Sequence, residues 1–444
     1  MRNMLRCRRG SVAFATVVAL IPLIGVVALG AEGGAWYVTK QHAQNAADAA
    51  AYSSGLWLAC SLAPSTCTAD TQTMAYRGKE LAAQNGFCNA GVTSYPGGQC
   101  INLPSGTSRT VTITPQGTDS VQATVTQTQP AYLAKVLGLS TVTIGATAIA
   151  QVKVLANPCV LSLSDPVAFQ GSTTVKAPNC GLSSNSTASN AMNFTGNGLD
   201  VSNVKSISGA GGCAQTAGSQ CSKVITFAPP VVDPLSGLNS AILSLTKADF
   251  SGGACGSTLK AYGPTTATTS PCYNNGFPAG NQTLNGVYFF TGNVTISGSV
   301  TVTGTATLIL LGPKFLSNGD KGATLTFNGN PTIQITALSS VSSTQVPTKL
   351  ATSSILSLLS GLLIYDPETT SKNQTVTISG NTTSSFTGIT YLPNADVVYQ
   401  GSTVSSTCVE VIAKGVTLSG NSNFDNSGCP ASSKIVSQYV RLVQ

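Results

Sequence analysis

The sequence predicts an α+β and all-β protein: an N-terminal transmembrane helix and stalk, a small α+β domain, then a β-solenoid of the parallel β-helix kind. A β-sandwich is the alternative for the last part. Three observations predict this. An uncharged run, Ser11–Ala31, follows a cluster of arginines. Residues 109–154 alternate apolar and polar side chains behind a helical pattern. Beyond Cys159 a Gly-Asn corner recurs between runs of β-branched residues. The corresponding domains are 1–31, 32–156 and 157–444.

Composition excludes several function classes. Only 8% of the 444 residues are charged, against roughly 25% in ordinary soluble proteins. Hydrophobics reach 42%, too many for a disordered chain. The net charge is +7, but Arg2, Arg6, Arg8 and Arg9 stand within nine residues of the start and the other basic residues are scattered. There is no basic stripe for a phosphate backbone, so no nucleic-acid partner is expected. With a single histidine, His42, neither a His-triad nor multi-histidine metal chemistry is expected within one chain.

Ser11–Ala31 is 21 residues without a charge. At about 1.5 Å per residue it spans roughly 31 Å, the thickness of a bilayer core. Arginines precede it, and only Glu32 and Lys40 follow closely. The positive-inside rule then places the first ten residues in the cytoplasm and residues 32–444 outside it. The expected location is the bacterial cytoplasmic (inner) membrane, single-pass, with the bulk periplasmic or extracellular and the lipid bilayer as a partner. The run exceeds the 7–15 residues of a signal-peptide core, and Ala28-Leu29-Gly30 is a poor cleavage site, so the span is read as a retained anchor. Its marker residues are Ser11, Phe14, Leu20, Pro22, Leu29 and Glu32, with Trp36 and Tyr37 as the interfacial aromatic belt.

After the span, Ala43, Ala46, Ala47, Ala50 and Ser54 recur at helical spacing. Alanine is the strongest helix former, so the helix is expected to continue as a stalk, with Gly33-Gly34 a candidate interruption and His42 on a polar face. The small-residue face suits either a second helix or the protein's own sheet. Residues 71–85 read as a helix ending near Gly86. Arg109–Thr114, Ser120–Thr128 and Thr141–Val154 read as strands, and residues 130–137 as a short amphipathic helix. A helix packed on a small antiparallel sheet results, a layout similar to that of pilin-like subunits.

In the third domain the corners include Thr195-Gly196-Asn197, Thr291-Gly292-Asn293, Asn328-Gly329-Asn330, Ser379-Gly380-Asn381 and Ser419-Gly420-Asn421. Gly and Asn supply the positive φ angles of tight corners, and stacked Asn side chains can bond in ladders. Val294, Ile296, Val300 and Val302 should point inward and stack on Ile333, Ile335, Val376 and Ile378. Two helical inserts, Pro234–Leu245 and Ser353–Leu363, interrupt the pattern. Catalysis on such a fold needs clustered carboxylates. Asp366 and Glu368 are close in sequence, but around Pro367 they read as a solvated turn. No catalytic residue, cofactor or metal ligand is expected.

Cys7 lies on the cytoplasmic side; the other twelve cysteines form successive close couples, read as disulfides of an exported region. The expected bridges are Cys60–Cys67, Cys88–Cys100, Cys159–Cys180, Cys213–Cys221, Cys255–Cys272 and Cys408–Cys429.

The N-terminal segment resembles Flp-pilus (tight-adherence, Tad) assembly proteins of the TadG type. The residues that carry the likeness are Arg8-Arg9-Gly10-Ser11-Val12-Ala13, the apolar span, Trp36-Tyr37 and Gln44-Asn45-Ala46-Ala47-Asp48-Ala49-Ala50-Ala51. Family members carry an acidic residue just past the span, where Glu32 stands here. Gln129–Val152 is similar to the end of the family's first domain. Val231–Leu238, Gly388–Pro393, Val398–Ser402 and Ile412–Asn421 resemble a β-rich extension found in some members. The resemblance implies a non-enzymatic, membrane-anchored component of pilus assembly or secretion, with other assembly proteins or pseudopilins as partners. A surface adhesin and a polysaccharide-active enzyme are the alternatives. Two departures matter. The Asp-x-Ser-x-Ser triplet of the von Willebrand A metal site is missing, since Asp200-Val201-Ser202 continues with Asn203-Val204. Arg9-Gly10-Ser11 imitates a prepilin cut site, but Ala15 replaces the usual glutamate.

Overall fold

The computed structural model describes residues 8–62, 70–88, 95–99, 103–250, 255–263, 272–274, 277–311, 325–328, 331–367, 375–379, 383–400, 406–434 and 437–443. The chain divides into two units, residues 1–154 with 438–444, and residues 155–437. The expected third domain, 157–444, therefore runs too far at its C-terminal end.

In the first unit, α1 (Arg8–Leu62) is one continuous helix. Gly33-Gly34 does not interrupt it. A Cβ at either position would meet nothing within 4 Å, so these glycines lower helix propensity without any packing reason to break. Next, α2 (Met74–Gln84) starts at Thr73, whose side chain accepts from the Tyr76 N–H, an ordinary N-cap. Three strands follow: β1 (Ser108–Gln116), β2 (Ser120–Pro130) and β3 (Thr141–Leu155). They pair antiparallel, β1 on β2 and β2 on β3. The C-terminal strand Ser437–Val443 completes the sheet beside β3, which is why the last residues belong to this unit.

The alanine face of α1 is covered by the protein's own sheet. Ala43, Ala46, Ala47 and Ala50 are fully buried against Val121, Ala123, Val125, Ala146, Ala148 and Ala150. Ala123 faces Ala148 and Val125 faces Ala146 across the strands. Small residues on both sides let the helix approach the sheet closely. Gly78 of α2 serves the same end: a Cβ there would lie 2.3 Å from Ser54 Oγ and 2.7 Å from Ile113 Cδ1.

The second unit is built on one sheet in which every described strand pairing is parallel. In chain order its first strands are β4 (Pro158–Ser162), β5 (Val167–Ser184), β6 (Met192–Phe194), β7 (Asp200–Gly209), β8 (Cys213–Gln215) and β9 (Val224–Thr226). After α3 (Ser236–Leu243) come β10 (Gln282–Phe290), β11 (Val294–Ser297), β12 (Thr301–Leu310), β13 (Leu325–Asn328) and β14 (Thr332–Thr336). After α4 (Ser353–Leu359) come β15 (Leu362–Tyr365), β16 (Thr375–Ser379), β17 (Ser385–Gln400) and β18 (Val409–Asn423). The long path of the sheet runs β10-β12-β14-β17-β18-β4-β5-β6-β8, and β11 pairs with β13 in a separate ribbon.

Alternation along these strands sorts side chains into two cores. One takes Val294, Ile296, Val302, Ile333, Ile335, Val376 and Ile378, all at most 3% exposed, with Val300 partly buried against it. Successive strands stack like on like: Ile378, Tyr399, Leu418, Phe169 and Phe194 occupy one row. The rings of Phe169 and Phe194 stack 4.5 Å apart. The other core takes the alternate row Phe289, Ile309, Tyr365, Tyr391, Ile412 and Leu161. Leu238 and Ile242 of α3 and Leu359 of α4 cover it. Burial on both faces explains the continuous apolar runs Ala306–Leu311 and Leu362–Tyr365, since a parallel sheet covered on both sides has no polar face to alternate with.

The corners differ from expectation in their cause. Among the described corner glycines, Gly420 has φ +72°, but Gly196 does not need positive φ. A Cβ on it would lie 2.0 Å from the Gly171 carbonyl oxygen, so close approach of stacked backbone demands the glycine. Gly329 and Gly380 fall outside the described residues. Hydroxyl pairs bridge neighbouring strands, Ser183 with Ser208 at 2.9 Å and Thr283 with Thr303 at 3.4 Å.

Disulfides join Cys159 to Cys180, Cys213 to Cys221, Cys255 to Cys272 and Cys408 to Cys429. Cys60 and Cys88 are also disulfide-bonded; Cys67 and Cys100 lie outside the described residues, as does Cys7. Two bridges stand at the ends of the parallel stack. Cys213 sits on the three-residue β8. Cys255–Cys272 adjoins the single bridges of Gly256 with Tyr273 and Tyr273 with Phe290, which extend the stack past β10. Short, stapled terminal strands leave little open edge for unwanted pairing.

Candidate membrane-proximal site

The N-terminal part of α1 presents apolar side chains with nothing over them. Val17, Val18, Leu23, Ile24, Val26 and Val27 are each more than half exposed. Leu20 and Leu29 are exposed as well, and Pro22 lies inside the helix. Ser11 and Phe14 lie on α1, but their side chains are outside what is described. Monomeric soluble proteins rarely expose an apolar surface of this extent. An internal proline costs a backbone hydrogen bond, a loss that membrane helices tolerate through local adjustment. The helix is thus a candidate membrane span by length and composition.

One residue past the span, Glu32 reaches across to a segment a hundred residues later. Its carboxylate accepts from the backbone N–H groups of Tyr132 at 2.7 Å, Leu133 at 3.1 Å and Ala134 at 2.8 Å. These donors open the single turn Ala134–Leu137, a 3₁₀ helix rather than the expected amphipathic helix over 130–137. Gly138 closes it at φ +91°, a conformation that suits glycine. The unpaired N–H groups at a helix start favour an anion, and hydrogen bonds to a charged acceptor contribute about 1.5–3 kcal/mol each when shielded from water. The Ala131 N–H donates to Ser140 O at 3.1 Å, closing the base of the segment.

Glu32 and Trp36, one helical turn apart, line a cleft of ≈ 290 Å³ with Pro104, Pro130, Tyr132 and Leu133. Trp36 is half-buried there, and Tyr37 points away, 66% exposed. Tyr132 and Leu133 of its lining are exposed, as are Lys135 and Leu139 further along the segment. Sequence reading singled out Glu32, Trp36 and Tyr37 as anchor markers and residues 130–137 as a short helix, but did not bring the two together. The available signal was Tyr, Leu and Leu in a stretch too short to bury them.

Several described acids of the second unit are tied into the fold. Lys414 Nζ lies 2.9 Å from Asp165 and 4.0 Å from Asp396. Burial, with Asp165 close by, pushes the Asp396 carboxyl above the usual range despite Lys414. Tyr391 Oη donates to Asp233 at 2.7 Å, and Tyr365 Oη to Asn239 at 2.7 Å. Burial raises the Asp233 carboxyl in turn. Asp366 is completely buried, not the solvated turn expected of it; its N–H donates to Tyr391 O at 3.1 Å and continues the pairing of β15 with β17 by one residue. Glu368 lies outside the described residues. Glu410 is buried, and burial pushes its carboxyl up to about 8, only partly offset by Ser433 and Lys434. Among the described residues, no three His, Cys, Asp or Glu side chains are grouped to hold a metal ion.

Residues 10–55 match the family model described as Flp pilus-assembly TadE/G-like, and residues 59–150 match the model described as Tad-like Flp pilus-assembly. Together the two matches cover under a third of the chain. No curated protein and no solved structure matches it. The first match spans the exposed apolar helix and Glu32, and the second spans β1, β2 and the Glu32-bound segment. Residues 10–150 are thus similar to TadE/G-like and Tad-like proteins of Flp pilus assembly.

Proposed function

We propose that this protein is a non-enzymatic, membrane-anchored scaffold of Flp/Tad pilus assembly. Residues 11–31 cross the cytoplasmic membrane once, with the N-terminus inside and residues 32–444 outside. The observation that carries the reading is the coincidence of the Tad family matches with an exposed apolar helix. The parallel strands of the second unit are read as the rungs of a solenoid, supported by like-on-like rows across successive strands. Such a body offers long, weakly charged faces for other assembly proteins or pseudopilins. Among the described acids, Asp165, Asp233, Asp249 and Asp396 bond within the fold, which supports docking over catalysis.

Deleting the chain should abolish Flp pili while leaving pilin synthesis intact. In membrane fractions it should resist carbonate extraction, and residues 32–444 should be digested in spheroplasts but not in intact cells. Normal piliation refutes the assembly role, and digestion on intact cells replaces it with the adhesin. A mature chain beginning near Ala31 ends the anchor, whereas one beginning at Ser11 indicates prepilin-type processing. Polysaccharide turnover lost on changing Asp366 refutes the scaffold.

A further inference from the structure

We infer that the segment Ala131–Ser140 is a second membrane contact, seated in the headgroup layer of the bilayer that α1 crosses. The inference rests on the anchored reading above and adds a partner surface to it. Glu32 is one residue, about 1.5 Å of rise, beyond the end of the apolar span. Side chains on a helix tilt toward its N-terminus, so the Glu32 carboxylate leans back toward the membrane side. The three N–H groups it holds therefore fix the segment at the level where the helix leaves the hydrocarbon. The headgroup layer is roughly 5–7 Å deep on each side of the core, enough to contain a single 3₁₀ turn.

The chemistry of the segment fits that layer. Tyr132 is 70% exposed, Leu139 50% and Leu133 41%, so apolar groups stand where water would otherwise meet them. Tyrosine is favoured at the membrane interface because its ring is apolar and its tip polar. Lys135 is exposed, and no acidic residue occurs between Gln129 and Lys153, which suits lipid phosphates. The nearest carboxylate, Glu32, is already satisfied by backbone donors and can enter a poorly hydrated layer at lower cost. Trp36 lines the same cleft and extends the aromatic surface. Glu32 is thus a positioning residue: it holds the segment, and the segment meets the lipid.

The test uses the full chain reconstituted alone into phosphatidylethanolamine–phosphatidylglycerol vesicles, with bromine on the acyl chains of the lipid. In a background of Trp36→Phe and Trp57→Phe, a single tryptophan is placed by Leu133→Trp. Leu29→Trp serves as the membrane reference. Leu62→Trp, about 50 Å further along α1, serves as the aqueous one. Emission at position 133 should be quenched and blue-shifted, between the two references, and Glu32→Ala should move it toward the aqueous reference without changing position 29. Should Leu133→Trp fail to fold, Tyr132→Trp is read in the same way. Quenching at 29 with none at 133 overturns the segment's membrane contact and leaves the anchor standing. No quenching at 29 overturns the anchor, and this inference with it. Quenching at 133 that Glu32→Ala leaves unchanged refutes the positioning role.

Discussion

Glu410 offers a direct test of the second unit's packing. It lies in β18 between Val409 and Val411, is 1% exposed, and sits near Ser433 of the Ala431–Ser433 turn. Burial lifts its carboxyl from 4.5 to about 8. Between those values the folded state keeps a proton that the unfolded state has lost. Stability from this group should therefore be full below pH 4.5, fall as pH rises through the window, and level off above about 8. Each pH unit weakens the fold by about 1.4 kcal/mol, so the whole window is worth on the order of 5 kcal/mol. Glu410→Gln keeps the shape and removes the titration. Urea unfolding of wild type and variant, followed by far-UV circular dichroism from pH 4 to pH 9, gives the difference in which other groups cancel. The variant should gain on wild type steadily across the window. A difference that is flat with pH, or that grows toward acid, refutes the buried protonated glutamate.

Three further outcomes are expected. Gly33→Ala and Gly34→Ala should each stabilise α1 by about 0.5–1 kcal/mol, whereas Gly78→Ala, crowded by Ser54 and Ile113, should cost about 1–3 kcal/mol; thermal unfolding of the three variants reads both signs. Ile378→Asp should cost several kcal/mol by burying an unpaired charge, and Thr377→Asp under about 1 kcal/mol; equal losses in urea melts would contradict the inward and outward assignment of side chains along β16. Non-reducing peptide mapping should recover Cys60 with Cys67 and Cys88 with Cys100, and replacing the Cys408–Cys429 pair by serine should cost roughly 2–4 kcal/mol, measured by urea unfolding.

What the sequence disclosed follows from how local each signal is. The apolar run, the alanine face, the alternation of β1 to β3 and the short helices α3 and α4 are periodic patterns within a few turns or one strand. They depend on near neighbours, so they could be read. Other features depend on residues far apart. Nothing in Ser437–Val443 marks it as partner to β3, and nothing near Glu32 names Tyr132 as its donor. The Asp366-Pro367 pair looks like a surface turn because prolines and acids usually sit there; the covering layer over Tyr365 and Tyr391 comes from residues 233–242. The order of parallel strands was equally hidden, since both halves of the second unit share one texture.

That order has a consequence for synthesis. β4 and β5 lie in the middle of the sheet, with β18 hydrogen-bonded to both. The ribosome delivers β4 and β5 early and β18 last. At about 5–20 residues per second, one edge of each stays without its neighbour for about 10–45 s. The earliest-made strands must therefore wait, as an uncapped template, for the final segment to arrive. Such a chain folds from non-local contacts and should fold slowly, with a premium on holding factors during export and a sharp intolerance of C-terminal truncation before Asn423.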